Sequence, residues 1–238
     1  MKHLKGCLWP TVGALLLSGC VSRVQLKSEF WTRSDLRVGI ALTAYPKARA
    51  HRAGSRGLLD ELVNEAGSEN FNSYLQSMDI SSFAVVRDLL AKKVMEKGLT
   101  AKTIPDFIDL KKYEVSIPSS KLGEAPKKRI DYKALADQED IDVLLLISVV
   151  RYGTLRKFYG FIPLGDPKAL FQGEGQMLDL KNRGKILWRT VMDDKKATVV
   201  IERPWNEPPD YPNLNTALHA AMEQGRQYIV DQFSEAER

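Results

Sequence analysis

The stretch Leu17-Ser18-Gly19-Cys20 contains the side chain with the most distinctive chemistry in this sequence, a cysteine that follows two small residues. Small side chains at Ser18 and Gly19 give a peptidase close access to the backbone. A thiol at the first position of a processed chain can be alkylated with a lipid. We therefore expect cleavage before Cys20 and lipidation of its sulfur. A chance cysteine in a core helix is the alternative interpretation.

The residues before Cys20 follow the order of an export signal. Lys2 and Lys5 form a short basic head, and residues 8–17 form an apolar run. A helix needs about twenty apolar residues to cross ~30 Å of hydrocarbon, so this run of about ten is too short for a permanent span. The pattern is typical of a cleaved secretory peptide. We expect residues 1–19 to be a signal peptide and Cys20 to begin the mature chain.

In this context Leu17-Ser18-Gly19-Cys20 resembles the lipobox of bacterial lipoproteins. The resemblance implies a diacylglyceryl thioether on Cys20 and acylation of its new amino group, with chains such as palmitate as the membrane anchor. Several acyl chains make such an anchor stable, whereas a single chain binds only reversibly. No aspartate follows the cysteine, since the next residues are Val21-Ser22. By the sorting rule of enteric-type lipoproteins, this implies the periplasmic face of the outer membrane, with the inner membrane as the alternative.

The composition is that of a domain stabilised by its core alone. Apolar residues make up 44% and charged residues 27% of the 238 residues, which is ordinary for a globular protein. The 219 residues left after processing fit a single domain. Cys7 and Cys20 are the only cysteines, so no disulfide is expected. Removal of Lys2 and Lys5 lowers the formal net charge from +5 to +3, and we expect no nucleic-acid partner.

Residue types that could bind a metal or act as a nucleophile are sparse. His51 and His219 are the only histidines after processing, and neither has a second ligand at metal-binding spacing. Gly54-Ser55-Arg56-Gly57 lacks the one-residue spacer of a nucleophile elbow. We therefore expect no metal site and no serine hydrolase.

Two further patterns have catalytic alternatives that we consider less favoured. Gly173-Glu174-Gly175 lacks the third glycine of a dinucleotide-binding loop and lies within a strand pattern, which favours a β-bulge. Asp193-Asp194, and Glu207 with Asp210, could pair as catalytic carboxylates. Acidic residues at strand ends are usually solvated. We expect no cofactor and no enzyme activity.

One group of residues has the composition of a binding surface, because it combines cations with amphipathic rings. Its members are Arg151, Tyr152, Arg156, Lys157, Phe158, Tyr159 and Phe161. Aromatic and arginine side chains are enriched at interface hot spots. We expect them on a Gly- and Pro-bounded loop that binds an envelope protein. The alternatives are rings that fold back on the core, and contact of rings and cations with lipid headgroups.

The elements that position these residues follow from hydrophobic spacing. Apolar alternation or continuous apolar runs predict strands over residues 36–43, 99–104, 141–150, 170–180 and 185–192. Helical spacing predicts helices over residues 58–66, 70–78, 82–97, 132–136 and 214–233. We expect Ser82 to cap the third helix, Gly98 to end it and Pro105 to end the following strand. The run 141–150 is typical of a central strand covered on both faces.

The segments between these elements are expected to be irregular. Residues 44–57 form a basic run, typical of a solvated loop, with phosphate or headgroup binding as the alternative. Residues 106–129 are rich in lysine and proline and predict a surface excursion. Residues 20–35 alternate charged and apolar side chains around Phe30-Trp31, and we interpret them as a lipidated tether that docks late onto the domain.

The order of elements predicts one α/β sandwich with a mixed β-sheet packed by helices, spanning residues 36–234. Two of its segments resemble a pattern in several periplasmic lipoprotein families. The first is Ile141-Asp142-Val143-Leu144-Leu145, and the second is residues 176–189, which include the turn and strand Gly184-Lys185-Ile186-Leu187-Trp188. These are the penicillin-binding-protein activators, the curli-secretion lipoproteins and the amino-terminal domain of the Tol periplasmic protein. The resemblance implies a small α/β domain that binds or scaffolds envelope machinery without catalysis.

Two classes of function follow from the sequence. The favoured class is a membrane-anchored lipoprotein that binds, scaffolds or regulates an envelope assembly for cell-wall synthesis, secretion or transport. The alternative is an envelope enzyme or small-ligand carrier. That alternative requires a deep apolar pocket with convergent polar groups.

Overall fold

The computed structural model describes residues 23–55, 69–117, 127–160, 162–192, 198–205 and 211–235. Its β-strands are β1 (Arg37–Leu42), β2 (Arg49–Ser55), β3 (Thr100–Phe107), β4 (Glu114–Ile117), β5 (Lys127–Ile130), β6 (Val143–Tyr159), β7 (Ile162–Asp179), β8 (Lys185–Val191) and β9 (Thr198–Val200). Its α-helices are α1 (Glu69–Ser77), α2 (Val86–Glu96), α3 (Tyr132–Glu139) and α4 (Pro212–Glu235).

Strand β6 is the centre of the main sheet. Its first half pairs in parallel with β1, from Val38 opposite Val143 to Leu42 opposite Ile147. Its other edge pairs antiparallel with β7 along nearly the whole strand. The five residues from Val143 to Ile147 are all buried, because helices cover both faces of the sheet at this point. The prediction of a central strand is therefore confirmed.

The main sheet is mixed, as the sequence predicts. The strand order is β3-β1-β6-β7-β8, with β2 added to the second half of β6 and β9 added to β7. The pairs β3–β1, β1–β6 and β2–β6 are parallel. The pairs β6–β7, β7–β8 and β7–β9 are antiparallel. The hairpin β7–β8 turns at Arg183 and Gly184, which both have positive φ angles.

Two hydrophobic layers complete the α/β sandwich. On one face of the sheet, α2 and α4 pack their apolar stripes on residues such as Leu145, Met177 and Trp188. On the other face, Leu135 of α3 packs on Leu144 and neighbouring side chains. The Asp131 carboxylate accepts a hydrogen bond from the Ala134 N–H and caps α3. This architecture confirms the predicted fold class.

Several predicted boundaries were wrong, for identifiable reasons. The basic run predicted as a loop contains β2, because pairing with β6 satisfies its backbone despite its polar composition. Strand β3 continues past Pro105, since among the described strands it pairs with β1 alone and its other edge needs no hydrogen bond from that residue. The predicted surface excursion contains the separate hairpin β4–β5.

Two local predictions also need correction. Ser82 does not cap α2; the preceding 3₁₀ turn instead begins where Asp79 accepts a hydrogen bond from the Ser81 N–H at 2.7 Å. The β-bulge lies at Val150 on β6, opposite Gly173, rather than on β7. Gly175 has a packing role, because a Cβ there would lie 2.6 Å from the Trp188 ring. Gly98 does end α2, with a φ of +82°. The predicted helix 58–66 lies outside the described residues.

The segment that precedes β1 is packed into the domain. Val24 forms an isolated antiparallel bridge with Arg189 of β8, through hydrogen bonds of 3.1 and 2.9 Å. Leu26 and Phe30 are 5% and 6% exposed and belong to the main core. The Trp31 ring makes an edge contact with Phe233 of α4, with 6.0 Å between centroids. From Val24 onward the chain is therefore part of the folded unit.

This packing predicts a stability effect at Phe30. We expect Phe30→Ala, in a chain without residues 1–19 and with Cys20→Ser, to lower the free energy of unfolding by about 3 kcal/mol, because it leaves a cavity in the core. Urea denaturation measures the change. The exposed neighbour Lys27→Ala is the control and should change it by less than about 0.5 kcal/mol. Equal effects of the two variants would show that residues 23–35 do not contribute to the core.

Candidate functional site

The predicted binding residues lie on the second half of β6 and not on a loop. Strands β2 and β7 pair with this half of β6 on its two edges, which satisfies its backbone hydrogen bonds. Gly153 has a φ of +128°, and a Cβ there would lie 2.1 Å from the Arg49 carbonyl oxygen. Only glycine therefore allows β2 to approach this closely. Phe161 lies outside the described residues.

Tyr152 belongs to the core and not to the surface. It is 3% exposed, and its ring makes an edge contact with Phe171 at 6.0 Å. Its hydroxyl points at the Met78 sulfur, 4.0 Å away. Burial, with a further contribution from Asp79, raises the pKa of Tyr152 to about 12. For this residue the alternative of a ring folded back on the core is the one that the structure shows.

Arg151 is half-buried beside the bulge. Its Nε donates a hydrogen bond of 2.6 Å to Oε1 of Gln172 on β7. The Gln172 amide in turn donates to the Met192 carbonyl at 2.8 Å. Arg151 therefore links β6, β7 and the end of β8, and its position is that of a structural residue.

Two arginines stack on the Phe158 ring. The Arg52 guanidinium carbon, on β2, lies 3.7 Å from the ring centroid, and that of Arg156 lies 5.8 Å from it. Arg156 also lies 5.4 Å from the Trp205 ring and donates a hydrogen bond of 2.9 Å to the Gly165 carbonyl. Cation–π contacts of this kind hold the guanidinium groups in place at a partly solvated surface.

The end of the β6–β7 hairpin exposes large apolar side chains. Tyr159 is 71% exposed, Ile162 is 52% exposed and Leu164 is 54% exposed. Lys157 is also exposed. We call this surface the ribbon tip. It consists of Arg52, Arg156, Lys157, Phe158, Tyr159, Ile162 and Leu164. Strand alternation places Lys157, Tyr159, Ile162 and Leu164 on one face of the hairpin, and Arg156 and Phe158 on the other. A group of exposed apolar residues such as Tyr159, Ile162 and Leu164 is the kind of patch that marks an interaction site.

The sequence alone did not identify Arg52, Ile162 and Leu164 of the ribbon tip, nor the neighbouring Trp205 ring. Arg52 and Trp205 are distant in sequence from β6. Pairing of β2 with β6 brings Arg52 to Phe158, and the return of the chain brings Trp205 to Arg156. Ile162 and Leu164 precede the strand predicted at residues 170–180. Their alternation around Pro163 is a strand signal that could have identified them.

An ion pair between Arg203 and Asp166 lies beside the ribbon tip. The Arg203 guanidinium donates to both carboxylate oxygens of Asp166, at distances of 2.7–3.0 Å. Hydrogen bonds from Arg203 lower the pKa of Asp166 below its ordinary value. The pair joins β7 to the segment that carries Trp205, and so positions the ring against which Arg156 lies.

His51, on β2, is the histidine nearest to the ribbon tip, and its surroundings disfavour the protonated form. Burial is the main cause that lowers the pKa of His51 below its ordinary value, and the cations Arg151 and Arg49 lower it further. Its Nε2 lies 3.3 Å from the Tyr152 carbonyl oxygen, a contact that partly opposes the shift. His219 is exposed on α4. Within the described ranges, no three His, Cys, Asp or Glu side chains are grouped to hold a metal ion.

A separate cleft of about 510 Å³ lies where β1 and β6 begin. Six of the residues that line it are charged: Arg37, Lys133, Asp137, Asp140, Asp142 and Lys181. Arg37 pairs with Asp140 and Asp142, Lys181 pairs with Asp142 at 2.9 Å, and Lys133 pairs with Asp137. The lining is therefore a set of mutually paired charges. It differs from the apolar pocket that a small-ligand carrier requires.

Asp142 is the buried member of this cluster. Its side chain is 3% exposed and accepts hydrogen bonds from the Arg37 backbone N–H, the Arg37 guanidinium and the Lys181 ammonium. Burial alone would raise the pKa of Asp142, but the contacts with Arg37 and Lys181 outweigh it and hold the pKa well below its usual range. Asp142 thus joins the start of β1 to the start of β6 and the β7–β8 turn.

The residues of the predicted export signal and lipid site, including Cys20, lie outside the described residues. Of the helices that the structure describes, none combines the length and apolar character of a membrane span.

Comparisons with known proteins leave the family open. No family model and no curated protein sequence matches this chain. Three solved structures show weak similarity, each covering most of both chains. A hypothetical protein from Chlamydia trachomatis has a TM-score of 0.36 at 7% identity, covering 84% of this chain and 93% of its own. TM-scores below 0.5 mark similarities too weak to assign a function.

The other two similarities are weaker still. A Helicobacter pylori protein named as a neuraminyllactose-binding hemagglutinin homolog has a TM-score of 0.33 at 13% identity, covering 86% of each chain. A lipoprotein from Neisseria meningitidis has a TM-score of 0.26 at 12% identity, covering 84% of this chain and 99% of its own.

The Asp142 cluster predicts a pH effect. A carboxylate with a depressed folded-state pKa stabilises the fold above its unfolded pKa of ~3.9, and this stabilisation is lost as the pH falls through the folded pKa. We expect Asp142→Asn to lower the free energy of unfolding by about 3 kcal/mol at pH 7, because Arg37 and Lys181 lose their buried partner. The loss should shrink below about pH 4, where wild-type Asp142 protonates on unfolding.

Denaturant unfolding between pH 2 and pH 7 measures this dependence. The control is Asp137→Asn in the same cleft, whose carboxylate is 65% exposed. It should change the free energy of unfolding by less than about 1 kcal/mol at any of these pH values. A pH-independent effect of Asp142→Asn would contradict the assignment.

Proposed function

We propose that this chain is a lipid-anchored lipoprotein of the bacterial envelope that binds a protein partner through its ribbon tip. In this proposal it is a non-catalytic binding, scaffolding or regulatory subunit of an assembly for cell-wall synthesis, secretion or transport. The lipid on Cys20 attaches it to the periplasmic face of the outer membrane.

The exposure of Tyr159, Ile162 and Leu164 is the observation that carries the proposal. Burial of such side chains in an interface stabilises a complex by about 25 cal/mol per Å² of apolar surface, before the costs of association. They lie on paired strands, so little conformational entropy is lost when a partner orders them. A tyrosine at the end of a rigid hairpin has the composition and placement of an interface hot spot.

The charge of the ribbon tip supports a partner with acidic groups. Arg52, Arg156 and Lys157 are cations, and Asp166 on the adjoining part of β7 is paired with Arg203. The stacking of Arg52 and Arg156 on Phe158 pre-orients their guanidinium groups. Pre-oriented arginines bind carboxylates at lower entropic cost than flexible lysines. We therefore propose an apolar partner surface bordered by aspartate or glutamate.

The proposal of a non-catalytic role is supported by the cleft. Its charged side chains are used in pairs that connect strand ends, which accounts for their positions without a reaction. The sequence pattern around Cys20 supports the lipid anchor, since a basic head, an apolar run and small residues before a cysteine occur in the order that export and processing require.

The anchor predicts a defined change in Cys20→Ala. We expect wild-type protein in bacterial cells to incorporate a palmitate analogue and to fractionate with membranes. Cys20→Ala should lose the label completely and keep an uncleaved signal peptide, because both lipid attachment and cleavage need the cysteine. Gel fluorescence and intact mass measure these changes. Undiminished labelling of Cys20→Ala would refute lipidation at this residue.

The ribbon tip predicts a site-specific interaction in intact cells. A photo-crosslinking amino acid at Tyr159 should capture an envelope protein, which mass spectrometry identifies. The matched control is the same amino acid at Met95, which is 53% exposed on α2. Capture at Tyr159 no greater than at Met95 would count against the proposal.

Substitutions distinguish binding from folding. We expect Tyr159→Ala with Ile162→Ala to reduce co-purification of the captured partner at least about tenfold, equivalent to about 1.4 kcal/mol. The free energy of unfolding should change by less than about 1 kcal/mol, because both side chains are mostly exposed. A collapse of stability would show that these residues support the fold instead.

A further inference from the structure

The lipid site and the first core contact are separated by few residues. Cys20 is the proposed lipid-bearing residue, and Val24 exchanges two backbone hydrogen bonds with Arg189 at the edge of β8. Before Val24, the Arg23 guanidinium donates a hydrogen bond of 2.8 Å to the Tyr228 hydroxyl of α4. The chain is therefore packed on the domain from Arg23 onward, three residues after the proposed lipid-bearing Cys20.

The residues that follow Val24 are packed in the domain and cannot lengthen the link between the lipid and the domain. Leu26, Phe30 and Leu36 are at most 6% exposed and pack in the main core. Trp31 contacts Phe30 and Phe233 through edge-on ring contacts. Detaching this segment would expose large apolar side chains to water, at a free-energy cost of about 25 cal/mol per Å² of apolar surface. The predicted sixteen-residue tether at residues 20–35 is thus mostly part of the fold.

The geometry of an extended chain limits how far the domain can move from the membrane. Val24 is four positions after Cys20. Each step spans at most ~3.6 Å, so the two residues lie within about 14 Å of each other. A free tether over residues 20–35 would reach about 55 Å by the same measure. The folded segment removes about three quarters of that reach.

We propose that the edge of the domain formed by Val24, β8 and the end of α4 faces the lipid bilayer that holds the Cys20 acyl chains. We call it the anchor edge. Arg23, Val24, Gln25, Gln232 and Glu235 line a small cavity at this edge, together with Trp188 and Thr190. The inference rests on the proposed lipid anchor, and it adds an orientation to that function.

The ribbon tip lies at the far end of the sheet from the anchor edge. Arg189, the partner of Val24, pairs with Gln176 on β7, whereas Ile162 at the ribbon tip is fourteen residues away on the same strand. At about 3.3 Å per residue, the strand between these two points spans at most about 45 Å. The bilayer therefore holds one end of the sheet, and the partner-binding surface extends from the other end.

Energy transfer to labelled lipids tests this orientation. Cys7 leaves with the signal peptide and the Cys20 sulfur carries lipid, so an introduced cysteine is the only free thiol of the mature chain. Glu235→Cys places a donor dye at the anchor edge, and Pro163→Cys places it at the ribbon tip. The purified lipidated protein is reconstituted in vesicles of phosphatidylethanolamine and phosphatidylglycerol that contain an acceptor dye on the headgroup.

We expect at least about twofold more transfer from Glu235→Cys than from Pro163→Cys, because transfer falls steeply with distance and Pro163 lies at the opposite end of β7 from the anchor edge. The control inserts about twelve Gly and Ser residues between Ser22 and Arg23, which adds a flexible span of about 20 Å without altering the fold. In this variant the difference should shrink toward equality.

Equal transfer from the two sites in the original chain would overturn the proposed orientation. Stronger transfer from Pro163→Cys would also overturn it, and would indicate that the ribbon tip binds lipid headgroups instead. Co-flotation with the vesicles is measured in the same samples. Failure to float would refute the lipid anchor itself, whereas flotation without a difference between the two sites would refute only the orientation.

Discussion

The double pairing of β6 is the constraint on which the rest of the structure depends. Its first half is hydrogen-bonded to β1 and β7 and buried between two helical layers. Its second half is hydrogen-bonded to β2 and β7 and carries the proposed binding residues Phe158 and Tyr159 at its end. No disulfide is expected, so the backbone hydrogen bonds of β6 to β2 and β7 hold the ribbon tip in a fixed position relative to the core. Gly153 is essential to this continuity, because any side chain there would separate β2 from β6.

The same sheet connects the two ends at which the protein is expected to act. At one end, Val24 extends the edge of β8 next to α4, and the lipid on Cys20 would lie a few residues away. At the other end, the hairpin β6–β7 exposes Tyr159 and Ile162. A rigid strand pair between a membrane and a partner sets a distance, whereas a flexible linker sets only an upper limit. This is the physical advantage of folding residues 23–35 onto the domain instead of leaving them as a tether.

The charged cleft has a complementary structural role. Asp142 follows a helix and precedes the central strand, and it draws Arg37 and Lys181 toward the same point. Asp142 therefore connects three segments that are distant in sequence: the start of β1, the start of β6 and the β7–β8 turn. A single buried carboxylate achieves this because several donors compensate for its desolvation. The apolar run at residues 141–150 predicts that Asp142 lies in a strand but predicts no contact for its carboxylate, since both partners come from other parts of the chain.

The sequence by itself determined what local spacing and composition can determine. The central strand, the long C-terminal helix, the β7–β8 turn at Gly184 and the mixed α/β class all follow from apolar periodicity and turn residues. Only the tertiary structure decided which residues share a surface. Pairing of β2 with β6 turned a basic run into a strand and brought Arg52 onto Phe158, and burial moved Tyr152 into the core. The physical reason is that strand pairing and ring burial depend on contacts between residues far apart in the chain, which no local pattern records.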